Sequence, residues 1–175
     1  RPIAVGLEGE AGVGKTSIIE EIATERGMTM VKVNLAQLEE IGDLVGLPIK
    51  EYEVVWIDNG NIKDKRWMSE NQTKNLDSRL KLTGRVRMAY APPAWLPTEN
   101  NPNGIIVLLD DYTRANSMFM QATMEIINTA SYISWNLPKY TSIVLTSNPD
   151  DGQFSVTSLD NAQKTRFINF NLKLN

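Results

Sequence analysis

Two periods alternate along this chain. Ile3-Ala4-Val5-Gly6-Leu7 is a continuous apolar run ending in a glycine-rich turn, the pattern of a buried strand. From Thr16 to Arg26, residues Ile18, Ile19, Ile22 and Ala23 recur at helical spacing, and Gly27 stands where a helix stops. Met28 to Val33 alternates like a second strand, after which Leu35, Leu38, Ile41 and Leu44 return to helical spacing. Ile105-Ile106-Val107-Leu108-Leu109 is uniformly apolar and predicts a strand buried on both faces. A helix is expected over 116–129, with Met118, Phe119, Ala122 and Ile126 facing inward. Tyr132 to Tyr140 reads as a hairpin and Ser142 to Thr146 as a central strand. Ser158 to Thr165 predicts a short helix, and Phe167 to Leu172 a last strand.

Between Pro48 and Asn103 the period is lost. Val54 to Ile57 reads as a strand, and Arg66 to Leu82 predicts a helix with polar faces. Ala91-Pro92-Pro93-Ala94-Trp95-Leu96-Pro97 must be loop, because its prolines preclude a helix interior or a central strand. No linker is expected, so residues 1–175 read as one domain that carries 48–103 as loops or an insert. Elsewhere strands and helices take turns, which predicts an α/β sheet with helices on both faces.

Composition narrows the chemistry. The chain of 175 residues is 42% hydrophobic and 22% charged, within the range of ordinary globular domains. It has no cysteine and no histidine, which excludes disulfides, zinc–thiolate sites and Ser-His-Asp or Cys-His catalysis. Hydrolysis would have to use carboxylates, Lys, Arg and a metal ion. The net charge of −3 argues against a broad phosphate-backbone surface, and the basic run Lys63-Asp64-Lys65-Arg66 reads as a solvated loop. No apolar run approaches the ~18 residues of a membrane span, and Arg1-Pro2-Ile3 does not open a signal peptide. A cytoplasmic location is the expectation.

Gly9-Glu10-Ala11-Gly12-Val13-Gly14-Lys15-Thr16 has the spacing G-x-x-x-x-G-K-[ST]. Glycines let successive backbone N–H groups turn toward phosphate oxygens, and the start of the next helix adds a positive field. Lys15 is expected on the β- and γ-phosphates, and the Thr16 hydroxyl on Mg²⁺. By chance the pattern arises in on the order of one in a hundred chains of this length. A strand before it and a helix after it lower that further. Without a guanine-reading N-K-x-D motif, ATP is the expected nucleotide.

Three further places carry candidate chemistry. Asp110 and Asp111 end the strongest apolar strand, where ligands of open α/β sheets collect. Asp110 there can hold Mg²⁺ through its water shell, and Asp111 can orient or deprotonate an attacking water. The competing reading is a turn in which Asp caps the next helix. Asn148 ends Thr146-Ser147-Asn148 and can position water as a neutral amide, or it simply forms a turn before Pro149. Arg166, taken alone, is a solvated cation near a helix C-terminus.

Taken in order, these features resemble the AAA+ ATPase core, a P-loop NTPase built as a three-layer α/β/α sandwich on a mostly parallel sheet. GEAGVGKT looks like Walker A, IIVLLDD like Walker B and TSN like sensor 1, while SLDNAQKTRF resembles the box with the arginine finger. Asp43 to Pro48 (DLVGLP), the APPAWLP segment, the Trp135 to Pro138 stretch and Leu109 to Ala115 (LDDYTRA, against LDEINRA) are similar to the MoxR-like and dynein-related branch. The resemblance implies a hexameric ring of this chain with ATP and Mg²⁺ between neighbours. Arg166 then acts in trans on the next subunit's phosphate, and Arg114, in the place of the NRA arginine, also faces a neighbour. The 48–103 region would be the insert of this branch.

Asp111 departs from the family's Glu by one methylene. The family's adenine-side segment before the first strand and its helical lid after the last have no counterpart in these residues. The implied activity is MgATP hydrolysis by a ring that remodels or activates a protein partner. A nucleic-acid motor or loader is one alternative. The other is a nucleotide-binding scaffold or switch with little turnover.

Overall fold

The computed structural model describes residues 3–149 and 165–173, which fall into two compact units, Leu47–Ala91 and the remainder. In chain order the elements begin with β1 (Ile3–Gly9), α1 (Lys15–Glu25), β2 (Thr29–Asn34) and the short α2 (Ile41–Val45). The smaller unit holds β3 (Leu47–Asp58), β4 (Asn61–Ser69), α3 (Glu70–Thr73) and β5 (Leu80–Ala91). The larger unit resumes with β6 (Ile105–Asp110), α4 (Ser117–Thr129), β7 (Ser131–Tyr132), β8 (Trp135–Asn136), β9 (Thr141–Ser147) and β10 (Ile168–Leu172).

The larger unit is built on a sheet of order β10-β1-β9-β6-β2, parallel throughout. Its helices follow from handedness. The β1–α1–β2 crossover moves across the sheet in one direction, and β6–α4–β9 moves in the other. Right-handed crossovers in opposite directions place α1 and α4 on opposite faces. On the α1 face, Ile19 and Ala23 pack on Leu7, Ile106, Leu108 and Val144. The alternate residues Ile105, Val107, Leu109, Ile143 and Leu145 point the other way and are also fully buried. A central parallel strand needs both faces apolar, which is why β6 shows no alternation. The α/β architecture is therefore the one the strand–helix alternation predicts.

Two close contacts hold this unit's corners. The Phe167 ring lies on Gly6, where an added Cβ would come within 2.7 Å of it. Tyr112 packs edge-on to the same ring at 6.0 Å. The proline-rich loop after β5 is anchored by Trp95, whose Nε1 donates to Leu44 O at 2.9 Å. Trp135 Nε1 donates to Val45 O, also at 2.9 Å, and the two indoles meet edge to face.

In the smaller unit β3 is central, antiparallel to both β4 and β5. Asn59 and Gly60, both at positive φ, make the two-residue turn between β3 and β4. Trp67 lies under Arg87 and Arg85, which also pair with Glu51 and Glu53.

Several local expectations are corrected. The helix expected over Arg66 to Leu82 is the end of β4, the single turn α3 and the start of β5. The helix expected from Leu35 to Leu44 is interrupted. A 3-10 turn at Leu35–Gln37 stops at Leu38, which is extended, and α2 restarts behind a capping box of Glu40 and Asp43. On α1 the inward stripe is Lys15, Ile19 and Ala23, while Ile18 and Ile22 are each 38% exposed. Met118 sits in the first turn of α4 and is 58% exposed, whereas Met120, Thr123, Met124 and Ile127 join Phe119, Ala122 and Ile126 inside. The expected helix over 158–165 lies, but for Thr165, outside the described residues.

Candidate nucleotide site

The loop between β1 and α1 leaves the carboxyl end of β1, beside the central strand β9. Gly12 and Gly14 have φ of 79° and 93°, a left-handed backbone that a side chain disfavours. Gly14 is the N-cap of α1, no side chain caps that end, and the first turn holds no acid. The first amide donors of the helix are thus left for an anion.

Lys15 is folded back over the loop. Its Nζ donates to Gly9 O at 2.6 Å, to Glu10 O at 2.9 Å and to Asn148 Oδ1 at 2.9 Å. Desolvation pulls its ammonium below the ordinary lysine value, Asp111 and Asp110 push it up, and Arg114 adds to the lowering. A charge so placed is better satisfied by an incoming polyanion than by two carbonyls and an amide.

The strand ends opposite the loop form one hydrogen-bonded unit. Thr146, 1% exposed on β9, donates from Oγ1 to Asp110 Oδ1 and accepts from Asp111 N at 3.2 Å. Lys32 Nζ lies 3.0 Å from Asp110 Oδ2. Burial raises the affinity of Asp110 for a proton, but the hydrogen bonds from Thr146 and Lys32 outweigh it and hold the carboxyl below its usual range. Asp111 adopts a left-handed conformation at φ 55° and opens the 3-10 turn Tyr112–Arg114 without a side-chain cap bond. The capping alternative for this residue is not what the geometry shows.

Ala11, Gly12, Gly14, Lys15, Thr16, Asp110, Asp111, Arg114 and Asn148 line one open cavity of about 380 Å³. The sequence candidates from the loop, the acidic strand end and the β9 end therefore converge. Arg166 does not join them. It precedes β10, where Ile168 pairs with Val5 and Leu172 with Gly9. It thus lies at the amino end of the strands, on the order of 15–20 Å from the loop. Arg114, expected to face a neighbour, lines the cavity of its own chain. Thr146 and Lys32 lie outside the set of site residues that the sequence predicts. Thr146 carried a weak signal, a hydroxyl at the end of a buried strand, whereas Lys32 acquires meaning only through the β2–β6 register.

The donor set fits Mg²⁺ arriving with a nucleotide. One hydroxyl, Thr16, and one ionised carboxylate, Asp110, face the same cavity. No group of three or more carboxylates that could hold a metal occurs among the described residues. Mg²⁺ commonly takes one or two protein oxygens and fills its octahedron with phosphate and water. No described helix is long and apolar enough to cross a membrane.

Comparison with known proteins places the fold. No protein-family model matches the chain. A 51-residue stretch, 28% of the chain, is 45% identical to midasin of Dictyostelium discoideum, of which it covers 1%. Among solved structures, a candidate ATPase of Cytophaga hutchinsonii superposes over 98% of this chain and 42% of its own, with a TM-score of 0.55 and 19% identity. NtrX of Brucella abortus superposes over 98% of this chain and 33% of its own, with a TM-score of 0.53 and 11% identity. The chain thus spans less than half of each of these three proteins, and the structural likenesses carry the fold alone. That fold is the α/β core of P-loop NTPases.

Proposed function

From the AAA+ ATPase fold as premise, we propose that this chain is the ATPase core of a ring-forming, MoxR-like protein that hydrolyses MgATP and so remodels or activates a protein partner. The observation that carries the reading is the convergence of Lys15, Thr16, Asp110, Asp111 and Asn148 on one cavity at the mouth of the Gly9–Thr16 loop. The segment shared with midasin supports the dynein-related side of the family.

In this reading the loop amides and Lys15 hold the β- and γ-phosphates. Lys15 exchanges Gly9 O and Glu10 O for phosphate oxygens. Thr16 and Asp110 hold Mg²⁺, which neutralises charge on the phosphates. Asp111 takes the proton of the attacking water or orients it, and Asn148 positions that water without adding negative charge. Arg166, remote from its own loop, completes the site of the next copy as a trans-acting cation. The number of copies is proposed as six.

The test is phosphate release at several protein concentrations, with MgATP and with excess EDTA. Sustained multiple turnover that needs Mg²⁺ and rises in specific activity with concentration is expected. A single stoichiometric burst, or none, would instead mark a nucleotide-binding switch.

A second reading is favoured by one observation. Residues 47–91 hold nine of the chain's 18 basic residues and six of its 21 acidic ones, a net +3 against −6 elsewhere. Tryptophans 56 and 67 are interleaved with Arg79, Arg85 and Arg87. Such a surface suits nucleic acid, although Glu51 and Glu53 already pair with Arg87 and Arg85. Tight, salt-sensitive binding of single- or double-stranded DNA in a fluorescence titration would replace the protein partner with nucleic acid.

A further inference from the structure

Both oxygens of Asp110 are already engaged. Thr146 donates to Oδ1, and the Lys32 ammonium lies 3.0 Å from Oδ2. The sheet register explains how Lys32 gets there. On β2 it pairs with Leu108, while Asn34 pairs with Asp110. Residues two apart on a strand share a face, so Lys32 and Asp110 point to the same side. The long Lys32 stem runs forward along β2 to the strand ends. Its neighbours Val31 and Val33 face away.

An ammonium and a divalent ion compete at one carboxylate. Mg²⁺ dehydrates reluctantly and reaches such a carboxylate through its water shell, and a resident cation repels it. Thr146 meanwhile keeps the carboxylate from rotating away, because it fixes the other oxygen. Lys32 is 45% exposed, so its ion pair is of the weak, solvent-screened kind that a doubly charged ion can displace.

We propose that Lys32 is a positioning residue that holds Asp110 as a monovalent stand-in and must swing away when Mg²⁺ enters with nucleotide. It thereby sets the Mg²⁺ concentration at which nucleotide binds tightly. This inference rests on the reading of Asp110 as the carboxylate on the metal side of the site.

The test is a titration of a fluorescent ATP analogue at a series of MgCl₂ concentrations, from excess EDTA upward, with no turnover measured. Lys32→Met keeps the stem and removes the charge, and it should lower the Mg²⁺ half-saturation by about three-fold. Lys32→Arg keeps the charge and should retain the wild-type value. Thermal melts confirm that both variants fold. If the wild type responds to Mg²⁺ and Lys32→Met has the same or a higher half-saturation, the inference is overturned while the metal reading stands. If wild-type affinity does not respond to Mg²⁺ at all, the metal reading of Asp110 fails and the inference falls with it.

Discussion

Lys15 Nζ lies 2.9 Å from Asn148 Oδ1, although 133 residues separate the two in the chain. The contact exists because β1 and β9 are neighbours in the sheet and both end at the loop. It ties the lysine proposed to hold phosphate to the amide proposed to position water. In the proposed reading, a γ-phosphate draws Lys15 away and releases the Asn148 oxygen toward the cavity. Asn148→Ala should therefore leave ATP affinity within about three-fold and slow hydrolysis by about 10²-fold, the lower range for lost proton-transfer assistance. Single-turnover phosphate release separates the two effects, and a large loss of affinity with normal hydrolysis would assign Asn148 to binding instead.

Thr146 and Asp110 make the site sensitive to acid. Burial raises the carboxyl, but the bonds from Thr146 and Lys32 leave it lower than the ordinary 3.8. A carboxylate lowered in the fold stabilises it above the unfolded value, and that stability is lost as pH falls through the folded one. Thr146→Val removes the donor to Asp110. It should cost about 1–3 kcal/mol in urea unfolding at pH 7 and move the acid-unfolding midpoint to higher pH. Circular dichroism along a pH titration reads the second effect. An unmoved midpoint would mean that the Thr146 bond does not govern Asp110.

Asp111 is one methylene shorter than the glutamate of the family that the chain is proposed to belong to. Asp111→Asn keeps the shape and tolerates the left-handed backbone, and it should slow turnover by about 10²-fold with ATP binding retained. Asp111→Glu should turn over faster than wild type. Steady-state phosphate release checks both, and equal rates for all three proteins would remove Asp111 from the chemistry.

Arg166→Ala should bind ATP as wild type does and lose the rise of specific activity with protein concentration. A variant that keeps that rise would show that Arg166 does not act on a neighbouring copy.

What was legible in the sequence follows from burial. β6 and β9 are apolar on both faces, and β1 runs into its glycine-rich loop, so the parallel sheet and its phosphate loop could be read directly. Residues 47–91 could not. β5 exposes Leu82, Val86 and Met88, and the register shifts at Tyr52/Val54 and Trp56/Ile57 break any period of two. The hairpin signal Asn59-Gly60 was present, but the strands beside it lack clean alternation. In the site, residue types gave the loop, Asp110, Asp111 and Asn148. Lys32 and Thr146 needed the pairing of β2, β6 and β9, which no spacing in the chain encodes. The inward faces of α1 and α4 differ from the expected stripes, since Ile18 and Ile22 on α1 and Met118 in the first turn of α4 are exposed.

The Gly9–Thr16 loop is proposed to bind nucleoside triphosphate through Lys15. Isothermal calorimetry of MgATP into wild type and Lys15→Ala tests it most directly, with thermal melts to confirm that both are folded. Saturable one-site binding by wild type is predicted, weakened at least about 100-fold, or close to 3 kcal/mol, by the substitution. Equal affinity of the two proteins would contradict the account.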